Sequence, residues 1–461
     1  MRYLRRIGEV KGMDSLGIAV LIVFVGTYLV ISTEKVNRTG MALLGMGLIG
    51  VVFWVAWSMM IVPSEVANDP SLFAEWEKNP FIVLVGHVEW DTILFVTSMM
   101  LLVAVAGASG MFQYIALRLV KPSEGDHKRL FITFLVFVFA VSLFFDTTST
   151  MLITAPLTIE VCKALEIDFK PYLIAEAVTC NFASIPSIVG AVPNLVIANE
   201  TNIDPGFLFI VFMPLAIILF LVSLPIFLRY YAKYFGTSDS YRVEALFSVD
   251  PTVMIRSRRD FYISVVAMGV LIVGFSLGPT FGIAPAMVAL IVAACMLLVA
   301  HDRAAEMMGN VGWDTVFFLV GLFGLVAALS LTGLIDELGD GIESVIGENA
   351  AIATVFMVWI PAMLSAFLDN LPVSAVLAPI ALRFASLSPV LPLALVFAVN
   401  IGGYIFTPLG SPANMIVIGH SEKEHDPIPF IEFIKIGTLL GLIHLAIGSA
   451  WLLLISALIG A

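Results

Sequence analysis

Long apolar stretches recur along the whole chain, from residues 16–31 at one end to residues 436–459 at the other. Crossing the hydrocarbon of a bilayer takes about 20 mostly apolar residues in a helix. Within lipid every backbone N–H and C=O must be satisfied inside the protein, which leaves helices or closed barrels. Barrel strands alternate apolar and polar side chains, whereas these runs are apolar throughout. The expected fold class is therefore all-α integral membrane, with the lipid bilayer as its surroundings. Only 13% of the 461 residues are charged, about half the share of roughly 25% found in soluble domains. The net charge of −12 comes without a Lys/Arg patch interleaved with aromatics, so no nucleic acid partner is expected. Cys162, Cys180 and Cys295 lie in apolar segments without CxxC spacing, so no disulfide framework is expected. The opening residues 1–13 are basic, with Arg2, Arg5, Arg6 and Lys11, and no small-residue cleavage site follows. That reads as an interfacial start rather than a cleaved signal peptide.

The chain also repeats itself. Trp90-Asp91-Thr92 returns 223 residues later as Trp313-Asp314-Thr315. In the same frame Phe95, Val103, Ala104 and Gly110 meet Phe318, Val326, Ala327 and Gly333. Asp146 meets Asp369, and Ala155-Pro156 meets Ala378-Pro379. At an offset of 220, Gly190 and Asn194 meet Gly410 and Asn414. Chance likeness between apolar helices supplies scattered Leu and Val, not polar residues and prolines in register, so the chain reads as a duplication. Each half contains two apolar spans, a long helix opening with Trp-Asp-Thr, an interrupted apolar pair, an interrupted helix and a final helix. The first repeat covers 1–228, with a hairpin at 129–166 and a broken helix at 172–200. A cytoplasmic linker covers 229–259, and the second repeat covers 260–461, with a hairpin at 350–387 and a broken helix at 391–419.

The charges suggest how each half crosses the membrane. Residues 130–145 and 151–165 are short for spanning, and Asp-Thr-Thr-Ser-Thr stands between them. Lys121, Lys128 and Arg129 precede the pair, and Lys163 and Lys170 follow it. Basic residues on both flanks put both ends on the cytoplasmic side, which makes the pair a re-entrant hairpin. Five crossings and one hairpin per half give about 10 crossings, and the odd number inverts the second half. Lys35, Arg38, Arg229, Arg242, Arg256, Arg303 and Lys423 then fall on cytoplasmic loops. The external loops 63–80, 199–206 and 336–349 are acidic and nearly free of Lys and Arg. The basic N-terminus is the misfit, since this count places it outside.

Ionisable groups at membrane depth are costly and are functional candidates by default. Asp146 and Asp369 stand at equivalent hairpin tips. Each also suits the N-cap of the helix that follows, and the two roles are compatible. Thr147, Thr148, Ser149, Asn370 and Ser374 add hydroxyl and amide groups beside them. The broken helices bring Asn181, Ser184 and Asn194 in the first repeat, and Asn400, Thr407, Ser411 and Asn414 in the second, around Pro186, Gly190, Pro408 and Gly410. Proline removes a helical N–H and glycine loosens the backbone, so both stretches should unwind. Unwound backbone at the midplane is tolerated only inside protein or lining a cavity. Paired broken helices in matching places mark the binding site of a secondary transporter. Asp91 and Asp314 read as N-caps, Glu160 and Glu176 as solvated at the foot of the first hairpin, and His444 as a satisfied packing residue. Cys180 reads as a small buried hydrophobe, although its thiol could contact arsenic(III).

The stretches LFFDTTSTMLITAPLTIEVCKALEID and LSAFLDNLPVSAVLAPIAL resemble the ion transporter superfamily. That group holds arsenite permeases, the mammalian P protein, NhaD-type sodium/proton antiporters and citrate-type carriers, and the P-protein pattern is the nearest. The resemblance runs from Trp90 to Leu228 and from Trp313 to the C-terminus. It implies an inverted-repeat fold with a scaffold part and a transport part, a homodimer, and elevator-like alternating access. By position it implies a site at Asp146, Thr147, Thr148, Asn181, Asn194, Asp369, Asn370, Asn400 and Asn414. Two departures stand out. Ala183-Ser184 replaces the Gly-Gly pair that Gly402-Gly403 keeps, and the Ser-Asn-Thr signatures of dicarboxylate carriers are absent from both tips.

The expectation is a multi-pass carrier in the inner membrane of a prokaryotic cell, not an enzyme and without a cofactor. It would couple a small inorganic ion or oxyacid to H+ or Na+, with a Na+ site possible at Asp146 and Asp369. Arsenite or antimonite efflux is the leading reading, ahead of sodium/proton antiport and of an organic anion carrier of the citrate kind. An intramembrane aspartyl enzyme would need two carboxylates sharing a proton, but neither a GxGD-type setting nor HExxH is present. No P-loop is present either, so direct ATP coupling would require a separate ATPase subunit.

Overall fold

The computed structural model describes residues 15–31, 35–238, 250–300, 303–309, 311–347 and 349–459. The basic opening segment and Arg242 of the linker lie outside them. Among the described residues there are 22 α-helices and no strand, only an isolated bridge between Asp126 and Thr237. The all-α membrane class expected from the apolar runs is what the chain adopts. Six of the helices are long and apolar enough to cross a membrane.

The helices fall into two compact units that cut across the two sequence repeats. The first unit holds residues 1–93 and 312–347. Its helices are α1 (Ser15–Ile31), α2 (Arg38–Ser58), α3 (Ser64–Asn68), α4 (Pro70–Lys78), α5 (Pro80–Gly86), α16 (Trp313–Leu331) and α17 (Leu334–Ile346). Its core is the packing of α2 along α16 and α1. A Cβ on Gly321 of α16 would stand 2.5 Å from the backbone of Ala42 on α2. The two helices therefore meet nearly backbone to backbone, as small residues permit inside membranes. The opposite face of α2 turns Val51 and Trp54 outward, both more than half exposed, as a lipid-facing surface requires. Two of the acidic stretches read as external loops, 63–80 and 336–349, are mostly helical here, whereas 202–204 in the third is a turn between helices. Asp69 and Asn79 cap α4 and α5, and α17 fills most of 336–349.

The helix α6 (Trp90–Ser109) starts at the boundary of the two units. Asp91 and Asp314 lie within the first turns of α6 and α16 rather than at their caps, where they complement the positive end of the helix dipole.

The second unit holds residues 94–311 and 348–461. From the first repeat come α7 (Met111–Val120), the hairpin arms α8 (His127–Ser142) and α9 (Thr147–Ala164), the broken-helix segments α10 (Lys170–Ala183) and α11 (Val192–Thr201), and α12 (Pro205–Tyr230). From the second come α13 (Arg258–Leu277), α14 (Pro285–Ala300), α15 (Ala304–Gly309), the hairpin arms α18 (Ala350–Phe367) and α19 (Asn370–Phe384), the segments α20 (Val390–Gly402) and α21 (Pro412–Lys423), and α22 (Phe430–Ile459). The contact pattern repeats itself. α10 packs on α8 and α9 as α20 packs on α18 and α19. The outer segments cross over, so that α11 packs on α19 and α21 packs on α9. Each broken helix thus finishes against the hairpin of the other repeat.

Candidate functional site

Both hairpins turn where the sequence places a polar tip. α8 ends at Ser142, whose hydroxyl donates back to Val138 O at 2.7 Å. The chain turns, and Asp146 caps α9 with both carboxylate oxygens: Ser149 N donates to Oδ1 at 3.1 Å and Ser149 Oγ donates to Oδ2 at 2.5 Å. Asp369 caps α19, with Leu371 N donating to Oδ1 at 3.0 Å. The two tips differ in burial. Asp146, Thr147 and Ser149 are buried, whereas Thr148 and Asp369 are half-buried. Asn370, the counterpart of Thr147, is buried and its Nδ2 has no protein partner.

The breaks in the two helices have a steric cause. A Cβ on Gly190 would stand 2.6 Å from the carbonyl oxygen of Ser142, and one on Gly410 would stand 2.2 Å from that of Ser365. Ser142 and Ser365 are themselves equivalent, so each break is pressed against the end of its own hairpin arm, and only glycine fits. Pro193 and Pro412 then start α11 and α21, where a missing N–H costs nothing.

Four asparagines hold the breaks open, all fully buried. Asn194 Nδ2 donates to Ser184 O at 3.0 Å and Ser187 O at 2.9 Å, and Asn414 Nδ2 donates to Gly403 O at 2.6 Å and Pro408 O at 3.1 Å. These bonds satisfy carbonyls that unwinding has freed, as buried backbone requires. The same side chains cross between repeats. Asn181 Nδ2 donates to Asn414 Oδ1 at 3.1 Å, and Asn400 Nδ2 donates to Asn194 Oδ1 at 2.6 Å. Asn181 and Asn400 also donate to Ala177 O and Val396 O, one turn back in their own helices. The structure therefore brings Asn181, Ser184, Asn194, Asn400 and Asn414 into one hydrogen-bonded group.

The group is not fully symmetric. Ser184 Oγ lies 3.1 Å from Asn400 Oδ1. Its counterpart is Gly403, which has no hydroxyl, and Asn181 Oδ1 is left without a partner. A Cβ on Gly403 would stand 3.0 Å from Asn181 Oδ1 and 3.1 Å from Ser411 Cβ, and the buried hydroxyl of Ser411 also lacks a partner. Thr407 stands apart from the group. Its hydroxyl donates to Ala366 O at the end of α18 and accepts Leu409 N, strapping the second break to its hairpin. The first tip reaches the group through Cys180, whose thiol lies 3.6 Å from Thr147 O and which adjoins Asn181. A mostly apolar cavity of about 560 Å³ opens beside the first tip, lined by Leu143, Pro186, Ser187, Val189, Phe209 and Phe275. Among the described residues no three His, Cys, Asp or Glu come together as metal ligands, so a cation held at this group would rely on amide and hydroxyl oxygens.

His444 is buried between Ser223 Oγ at 2.9 Å and Tyr404 Oη at 2.6 Å, the satisfied packing role expected of it. Glu160 is exposed, but Glu176 is not solvated. It is fully buried, because α10 is covered on every side from Pro171 to Ala183. Lysines at the foot pair with the end of the crossing helix, Lys163 with Glu424 and Lys170 with Asp426 at 2.7 Å.

Comparison with known proteins agrees with this architecture. A transporter of Mycobacterium tuberculosis is 25% identical over 443 residues, covering 95% of this chain and 98% of its own. The 46 kDa membrane protein of Mycobacterium leprae is 26% identical over the same shares. The human P protein is 24% identical over 544 residues, covering 100% of this chain and 62% of its own length. Among solved structures, the YdaH transporter of Alcanivorax borkumensis superposes with a TM-score of 0.56 at 16% identity, over 96% of this chain and 98% of that one, a likeness of fold. The sequence pattern of the family described as Citrate transporter matches residues 28–390. With two hairpins, two exchanged broken helices and that match across most of its length, the chain belongs to the citrate transporter family and is a membrane transporter.

Proposed function

We propose that the protein is a secondary active transporter that moves a small oxyacid or inorganic ion by alternating access, coupled to H+ or Na+. The observation that carries this reading is the set of buried polar atoms without protein partners, Asn181 Oδ1, Ser411 Oγ and Asn370 Nδ2. Buried groups of this kind are normally paired, and each one left alone costs about 1–3 kcal/mol. A bound solute that brings its own hydroxyls supplies the missing partners. All three groups are neutral, and an uncharged hydroxide such as arsenite or antimonite needs hydrogen bonds and no fixed countercharge. The Cys180 thiol beside Asn181 offers a soft contact of the right kind for arsenic(III). Efflux of arsenite or antimonite is accordingly the leading substrate assignment. The protein is further proposed to work as a homodimer in the inner membrane of a prokaryotic cell.

A second reading, an organic anion carrier of the citrate kind, is favoured by the starts of α11 and α21. Neither carries a side-chain cap, and an uncapped helix N-terminus offers partial positive charge to a carboxylate. Sodium/proton exchange would use Asn181 Oδ1 and Ser411 Oγ as hard oxygen ligands instead.

The test is proton flux in proteoliposomes of the purified protein on adding sodium, lithium, arsenite, antimonite or citrate, with Asp146→Asn, Asp369→Asn and Asn181→Ala alongside. A flux driven by one of these solutes and lost in Asn181→Ala supports the reading and names the substrate. Silence with all of them, in protein of native stability, removes it.

A further inference from the structure

Five residues before Asn181 on α10, the repeat symmetry is broken in a second way. Glu176 is fully buried, and Thr158 Oγ1 on α9 donates to its Oε1 at 2.6 Å. Its Oε2 has no partner, and neither has the buried hydroxyl of Thr179, one turn along the same helix. At the offset of 223 Thr158 corresponds to Ala381, and at the offset of 219 that aligns Asn181 with Asn400, Glu176 and Thr179 correspond to Leu395 and Ala398. All three of these are apolar and fully buried, in the α20–α19 contact that mirrors α10–α9. The asparagines that hold the breaks are kept in both repeats, whereas this polar trio is present in one. The helix packing is therefore made perfectly well without it.

Among the described residues Glu176 makes no ion pair, and the ionisable side chains that feel its charge are Cys162 on α9 and Tyr172 and Cys180 on its own helix. The helices packed against α10 carry their charges at their ends. These are Asp126, His127, Lys128 and Arg129 at the start of α8, Asp146 at the start of α9, and Glu160 and Lys163 near its end. Arg229 stands at the end of α12, and His420, Glu422 and Lys423 stand at the end of α21, while α20 has none. Lys170 at the start of α10 is paired with Asp426. An ionised carboxylate left unpaired in such surroundings is strongly destabilising, and intramembrane ionisable groups of this kind mark proton and ion pathways.

We propose that Glu176 is a proton-carrying residue of the transport cycle, neutral while it is enclosed as in this structure and deprotonated where the cycle admits water to its carboxyl. The step is the binding and release of one proton at the carboxyl, with Thr158 Oγ1 holding Oε1 and leaving Oε2 for the proton. This rests on the reading of the protein as a coupled carrier. It assigns the proton to a residue outside the tips, where both oxygens of Asp146 are already engaged in capping.

Two measurements separate this assignment from the reading beneath it. Difference infrared spectra of the purified protein, taken between acidic and alkaline pH, should show a protonated-carboxyl C=O band that is absent from Glu176→Gln. The triple variant Glu176→Leu, Thr158→Ala, Thr179→Ala, which copies the second repeat, should fold with a melting temperature no lower than that of the parent. In proteoliposomes, Glu176→Gln should lose solute-driven proton flux at least tenfold while solute counterflow persists. A wild-type spectrum identical to that of Glu176→Gln overturns the assignment whatever is transported. So does proton flux undiminished in Glu176→Gln, or a band abolished by sodium at constant pH, which would make this a sodium site. Absence of any driven flux in the wild type would instead remove the coupled-carrier reading, and the infrared band would still report whether Glu176 holds a proton.

Discussion

Replacing Asn194 by alanine removes three buried hydrogen bonds at once: those to Ser184 O and Ser187 O, and the one it accepts from Asn400. Two backbone carbonyls lose a donor, and Asn400 Nδ2 keeps only Val396 O. With about 1 kcal/mol for each lost bond and more where a buried group is left bare, the loss should be about 3–5 kcal/mol. Asn400→Ala removes the same crossing bond from the other side. The two changes therefore share one interaction, and the double variant should be less unstable than the sum of the singles by about 1–3 kcal/mol. Asn194 and Asn181 share no bond, so their double variant should come much closer to additivity. The assay is equilibrium unfolding in mild detergent followed by tryptophan fluorescence, with both cycles run side by side. Equal coupling in the two cycles, or none in the first, would refute the crossed pairing of the asparagines.

Five further variants probe the second unit. Gly190→Ala and Gly410→Ala each drive a methyl group into a carbonyl oxygen and should each cost about 1–3 kcal/mol, whereas Gly107→Ala in α6 meets nothing within 4 Å and should be neutral or stabilising by about 0.5–1 kcal/mol; thermal melts of the three variants check this. Gly403→Ser restores the hydroxyl that Ser184 supplies in the other repeat, placing its Cβ in tight contact with Asn181 Oδ1 and Ser411 Cβ at 3.0 and 3.1 Å, so solute uptake should fall at least tenfold for a stability cost of about 1 kcal/mol, and normal uptake would show that this spot is not where solute binds. Asp426→Ala breaks only a pair at the foot whose acid is about half exposed and should cost less than about 1 kcal/mol, an effect that shrinks further in high salt; a larger loss in a salt series would show that the foot is more than a surface contact.

The hairpins and the breaks were legible because proline, glycine and asparagine seldom recur in one frame unless the backbone requires them. Asn181, Asn194, Asn400 and Asn414 could be picked out one by one, and the repeat made them pairs. Their crossing could not be read, since nothing in a linear pattern says that Asn181 bonds to Asn414 rather than to its own neighbour Asn194. Glu176 was misplaced for a traceable reason. The lysines at 163 and 170 drew it to the aqueous foot, yet the run from Tyr172 to Cys180 around it is otherwise without charge, and a lone acid inside such a run is the signature of a buried one. The stretches 63–80 and 336–349 looked like loops because they are acidic, although Asp69 and Asn79 stand where caps start short helices and Gly333 stands just before α17.

The exchange of α11 and α21 between the hairpins makes the second unit a clasp. Each broken helix begins beside its own hairpin and ends on the other, and the two side-chain pairs at the crossing are its hooks. Pulling either hairpin away from the centre strains the bonds of both repeats, so no half of the clasp opens alone. Displacing all eight segments as one piece leaves every hook fastened. Separating the hairpins therefore costs buried hydrogen bonds that a displacement of the whole clasp does not.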